Sequence, residues 1–258
     1  MRLMKRILSA AAVLALSASL LVGCSSGTAS SVPVSASSAA ESTVSSVEET
    51  ASSAVDENAA AAVQLLNDLT GSYQELWPVI LADEYQQTWL DDCTALVGEE
   101  NAEAAFEKLS SMVTGDVYGE DAVEAYANGG GAYFCGFTND LATLTFDGET
   151  STISGTDKDG NVLFSHTYHY IGMEPVRGLY EFESDDADSG EFTYFFLAPD
   201  TSAETYHIEF RYGSDAEALS QYDAGEYAYW VASGISTDCD QTMIDNCIEL
   251  FCTENLAG

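Results

Sequence analysis

The chain has 258 residues, of which 43 are acidic and 7 basic, giving a formal net charge of −36. This balance excludes a nucleic-acid partner, because phosphate binding needs a basic footprint, and it offers no electrostatic hold on an anionic lipid surface. The field around such a surface concentrates cations and keeps the protein soluble.

The first 23 residues are expected to leave the mature chain. MRLMKR is a basic opening and ILSAAAVLALSASLLV an apolar core, together a secretory signal too short for a membrane span. The run ends in Leu21-Val22-Gly23-Cys24. A small residue directly before Cys resembles the lipobox of bacterial lipoproteins. It implies cleavage before Cys24, lipidation of that residue, and attachment to the membrane through the lipid anchor. Loss of the leader leaves Lys108, Lys158, Arg177 and Arg211 as the basic side chains.

From Cys24 to Asn58 the chain is Ser- and Ala-rich and lacks aromatic residues. It cannot bury enough apolar surface to offset chain entropy, so a disordered tether with a reach on the order of 30 Å is expected. The remainder, residues 59–258, suffices for one domain with a sizeable core. Its cysteines are Cys93, Cys135, Cys239, Cys247 and Cys252. An exported location permits disulfides, but the pairing stays open, and no Cys-x-x-Cys spacing indicates a redox motif or a zinc ribbon.

Helical periodicity comes first. Residues 59–69, 73–97, 99–113 and 121–127 read as helices, with Pro78 as a start or kink in the second. Gly129-Gly130-Gly131 ends this third of the chain. The period then changes to two. Candidate strands are 132–138, 141–146, 150–155, 161–171, 178–183, 191–197 and 205–212, joined by Asp-, Asn- and Gly-rich turns. Short strands in series predict an antiparallel meander closed into a barrel or sandwich. A last helix near 239–250, capped by Thr237 or Asp238, lines Met243, Ile244, Cys247, Ile248 and Phe251 on one face. The acidic turns at 157–161 and 186–190 open like calcium loops but lack the later ligands, and read as plain turns.

The most informative stretch is 190–213. Tyr206, Ile208, Phe210 and Tyr212 take one strand face, and Thr205, His207, Glu209 and Arg211 the other.

Three segments together resemble the ZinT (YodA) family of exported, calycin-type metal-binding proteins. They are GSYQELWPVI at 71–80, RGLYEFE at 177–183 with EFTYFF at 191–196, and YHIEFRYGSD at 206–215 running on to YAYW at 227–230 and the last helix. The resemblance implies a mostly β fold, a lipocalin-like antiparallel barrel with N-terminal helices and a C-terminal helix, binding zinc at the barrel mouth. In that family the ligands are typically three His. Here His207 matches the second His of a His-x-His pair, Thr205 stands at the first, and Asp200 lies near the remaining one. Asp200 and Glu209 are then expected to supply oxygen ligands, and His169, on a strand face with Ser165 and Thr167, to join from another strand. His166, on the opposite face, reads as a core or interface histidine. A carboxylate-rich set shifts preference toward harder ions such as manganese or calcium.

The expected function is that of a membrane-anchored, extracytoplasmic lipoprotein. It would bind zinc or another divalent cation and hand it to a metal-import binding protein or transporter. Proton competition at His207 is expected near pH 6.5. The alternative is a calycin module without metal that binds a small apolar ligand or a protein partner. No nucleophile elbow, complete triad pattern or His-Glu-x-x-His is present in the sequence, so no enzyme activity is expected.

Overall fold

The computed structural model describes residues 57–115, 117–200 and 202–257. Cys24, the signal segment 1–23 and nearly all of the expected linker lie outside these residues. Helix α1 spans 57–68, so Glu57 and Asn58, assigned to the linker from composition, are helical. No helix among the described residues is long and apolar enough to cross a membrane.

Eight antiparallel strands form a closed barrel in simple sequence order. They are β1 (Gly71–Glu75), β2 (Thr143–Asp147), β3 (Thr152–Thr156), β4 (Val162–Met173), β5 (Tyr180–Ser184), β6 (Tyr194–Leu197), β7 (Ile208–Gly213) and β8 (Ala232–Ser236). Closure is made by β1 on β8, with Tyr73 opposite Ser236 and Glu75 opposite Gly234. Neither of these strands was expected. Gly71–Glu75 lies where a helix was expected to begin soon after, and Ala232–Ser236 is a short run of small residues. In the other direction, 132–138 forms no strand; Phe134 makes only isolated bridges to Thr114 and Trp230.

Between β1 and β2 the chain makes a helical excursion: α2 (Leu76–Ile80), a 3-10 turn (Asp83–Tyr85), α3 (Gln86–Val97), α4 (Glu99–Val113) and α5 (Glu120–Ala127). The single helix expected over 73–97 is therefore a strand, a short helix, a 3-10 turn and a longer helix. Short helices α6 (Ser202–Thr205) and α7 (Ala216–Leu219) flank β7, and α8 (Gln241–Leu256) ends the fold. Asp240 caps α8 by accepting from Met243 N at 2.9 Å, in place of the Thr237 or Asp238 expected.

Alternation along the strands divides the apolar residues into two cores. The barrel interior is filled by rings: Phe146, Phe182, Phe195, Phe210 and Tyr212 are all but fully buried, and Trp230 packs edge-on to Tyr212 at 5.0 Å. Gly155 makes room for this packing, because a Cβ there would lie 2.4 Å from the Phe164 ring. Helix α1 contributes Ala62, Leu65 and Leu66 to the same core, and Leu69 in the turn after it joins them. The second core lies between the outer barrel wall and helices α2, α3, α4 and α8. It holds Trp77, Ile80, Trp89, Leu109, Ile235, Ile244 and Ile248, and all five cysteines of the described residues belong to it or pack against it. No disulfide joins any two of them in this structure.

Candidate functional site

The turn between β6 and β7 builds the site. Ala198 N donates to Glu209 O at 2.9 Å, extending the ladder. The chain then leaves through Pro199 and Asp200, makes the turn of helix α6, and reverses at Tyr206, whose φ of 65° lies in the left-handed region. Thr205 is thus part of a helical turn and His207 precedes the strand, so the two do not share a strand face as expected. Thr205 Oγ1 donates to His207 O at 2.8 Å, and His207 Nδ1 meets Thr205 O at 2.7 Å. A carbonyl only accepts, so Nδ1 carries the proton and Nε2 is the nitrogen left for a ligand.

That Nε2 stands 3.9 Å from Glu209 Oε1. Phe210 and Tyr212 point into the barrel, so His207, Glu209 and Arg211 are on its outer wall, facing the helical layer. The site therefore lies where the β6–β7 turn meets the outer wall beside α8. The His207 side chain is 19% exposed and that of Glu209 41%, so solvent reaches the carboxylate. From α8, Cys247 brings its Sγ to 3.9 Å from His207 Nδ1. This is the opposite edge of the ring from Glu209, so in this arrangement the thiol does not share an ion with Nε2.

The electrostatics tie the group together. Burial alone would lower the pKa of His207, but its interactions with Cys247 and Glu209 hold it well above the ordinary value. Burial alone would raise Glu209, but the bond to His207, its charge, and that of Arg177 bring the carboxyl below its usual range. Asp200 is raised by desolvation and then by repulsion from Glu204 and Glu209, with His207 partly offsetting. Glu254 of α8 is likewise raised, by desolvation first, and it feels His207, Glu209 and Asp200. One imidazole thus sits in the shared field of three carboxylates. Among the described residues no three His, Cys, Asp or Glu side chains are grouped closely enough to hold an ion as they stand. Donors on a tetrahedral zinc with bonds of about 2.0–2.2 Å lie roughly 3.3–3.5 Å apart, so His207 and Glu209 need to close by about half an ångström. Asp200 and Glu254, both exposed, are the residues that can supply further oxygen.

His169 is not brought to this group. It lies on β4, separated from β7 by β5 and β6, about 14 Å around the wall at ordinary strand spacing. There its Nδ1 meets Asp185 Oδ1 at 2.8 Å. His166 pairs with Asp186 Oδ2 at 2.7 Å and stacks on Phe164. The turn after β5 thus carries adjacent aspartates that occupy both histidines of β4. The acidic turn at 157–161 is a plain turn, with Asp157 Oδ1 accepting from Asp159 N and Asn161 N.

A second cluster on the outer wall was missed in the sequence. Arg211, fully buried, donates to the carbonyls of Leu219, Gln221 and Tyr227. Its guanidinium lies 4.3 Å from the Tyr222 ring, and Arg177 lies 4.1 Å from the same ring. Buried Glu174 accepts from Val176 N and Arg177 N at 2.7 Å. The usable signal was rarity: two of the few basic residues in an acidic chain converge on one tyrosine.

The architecture is that of a closed, eight-stranded antiparallel barrel with a helical layer on its outer wall. Neither a protein-family model nor a curated protein sequence matches the chain. Among solved structures its fold is similar to the zinc-bound ZinT-like domain of AdcA from Streptococcus pneumoniae. The identity is 16% and the TM-score 0.45, over 72% of this chain and 89% of that domain. It is also similar to zinc-bound AdcA of the same organism, at 15% identity and TM-score 0.42, covering 75% of this chain and 35% of that one. The chain thus spans about a third of the length of that second protein.

Proposed function

We propose that this chain is a membrane-tethered, extracytoplasmic binding protein for a divalent cation, zinc foremost, and not an enzyme. His207 and Glu209 take the ion, Asp200 and Glu254 complete its oxygen shell, and the cargo passes to a partner of a metal importer. The observation that carries this reading is Nε2 of His207 facing the Glu209 carboxylate at 3.9 Å, with two further carboxylates in the same field. A cation there relieves the mutual repulsion of three carboxylates, and a mixed imidazole–carboxylate set suits zinc and tolerates manganese. The packed aromatic interior gives the apolar-ligand alternative no comparable support.

Calorimetric titration of zinc and manganese into wild type and His207→Ala tests the site. Wild type is expected to bind zinc below millimolar and more tightly than manganese, and His207→Ala to lose that preference. Equal binding by the variant removes His207 from the site. The tether has its own test: Cys24→Ala should move the protein from the membrane fraction to the soluble exported fraction, and unchanged retention would rule out the lipid anchor.

A further inference from the structure

We propose that Cys93 and Cys252 are oxidised to a disulfide in the mature protein, stapling helix α8 to helix α3. Their sulfurs lie 4.0 Å apart, and each residue is fully buried in the helical core. Closing to the S–S length of about 2.05 Å asks the two sulfurs to approach by about 2 Å. The surrounding packing already holds the two helices face to face: Trp89 of α3 meets Phe251 of α8 edge-on at 5.9 Å, with Trp77 against the same Phe251 at 4.9 Å. The other thiols are engaged elsewhere. Cys135 turns to Tyr133 O, Cys247 to His207, and Cys239 is only partly buried near the α8 N-terminus.

The reaction takes two thiols to one S–S bond. Two electrons and two protons pass to a disulfide oxidant, either oxidised glutathione or the disulfide of a thiol oxidoreductase, which leaves as two thiols. Full burial bars such an oxidant from the folded core, so the bond forms before α8 docks. Its partners are 159 positions apart in the chain, which makes the constraint on the unfolded ensemble large. The consequence reaches the outer wall, because α8 also carries Cys247 and Glu254 to His207.

The experiment uses the mature chain refolded with oxidised glutathione, alkylated under denaturing conditions without reduction, and digested. A crosslinked peptide joining Cys93 to Cys252 is expected, with Cys135, Cys239 and Cys247 alkylated. Reduction should lower Tm by about 5–15 °C. The variant Cys239→Ser/Cys247→Ser should keep both the crosslink and the shift, whereas Cys93→Ala/Cys252→Ala should show no shift on reduction. Alkylation of Cys93 and Cys252 in wild type, or either one bonded to a different cysteine, overturns the proposal. Because the readout is a peptide mass, its failure leaves the cation reading untouched.

Discussion

Glu209 Oε1 faces His207 Nε2 at 3.9 Å while the other ring nitrogen is held by Thr205 O. This pair is bound by charge as well as position. His207, with its folded pKa raised, adds stability that is complete below its unfolded value near 6.5 and is lost as pH rises through the folded value. Glu209, with its pKa lowered, adds stability that is complete above about 4.5 and is lost as pH falls through its folded value. The pair therefore stabilises the fold most between about pH 4.5 and 6.5. His207→Ala should cost roughly 1 kcal/mol there, allowing for solvent at Glu209, and less above the raised pKa. Urea melts across pH 5–9 measure the difference; a cost that grows with pH would refute the pairing.

The same proton opposes the cation. An imidazole must be neutral to ligate, so zinc has to displace the proton that Glu209 helps to hold. Competition is therefore expected above pH 6.5, higher than the sequence alone suggested. Each pH unit below the folded pKa should weaken zinc binding roughly tenfold. Titrations at pH 6, 7 and 8 should show this slope in wild type, and Glu209→Gln should move its midpoint downward.

Arg211 should be costly to remove from the outer wall. It satisfies the carbonyls of Leu219, Gln221 and Tyr227 from a fully buried position. Arg211→Ala should destabilise by roughly 3–5 kcal/mol, since buried acceptors lose their donor. Lysine should not restore it, because one ammonium cannot reproduce the planar fork. Denaturant melts of both variants decide this.

Truncation should reveal where the domain begins. Removing residues 25–56 should leave Tm within about 1–2 °C if that segment makes no packed contacts. Extending the cut through residue 69 takes Ala62, Leu65, Leu66 and Leu69 out of the barrel core, and Leu66→Ala alone should cost about 2–5 kcal/mol. Thermal melts of the two deletions and the point variant supply the comparison.

Much of the barrel was legible from period-2 alternation, because Phe210 and Tyr212 have to face a core and so place His207, Glu209 and Arg211 outside it. The closing strands were not legible. GSYQE and ASGIS have little apolar pattern of their own, and they are strands only because β1 and β8, about 160 residues apart, find one another. Local cues failed at Tyr206 as well, since nothing about a tyrosine announces a left-handed backbone; the turn it makes separates Thr205 from the strand. Within the candidate site, the nearness of His207 and Glu209 was readable from their spacing, and the two side chains do approach to 3.9 Å. Glu254 arrives on a distant helix, and His169 is kept away by two intervening strands.

The pairing of β1 with β8 has a further consequence for how copies of the chain meet one another. An open sheet would present unpaired N–H and C=O groups along its outermost strands, a template on which further copies could add. In the closed barrel every strand has a neighbour on both sides. The described barrel therefore offers no strand edge for a second copy to extend, and the high negative charge of the chain adds repulsion between copies.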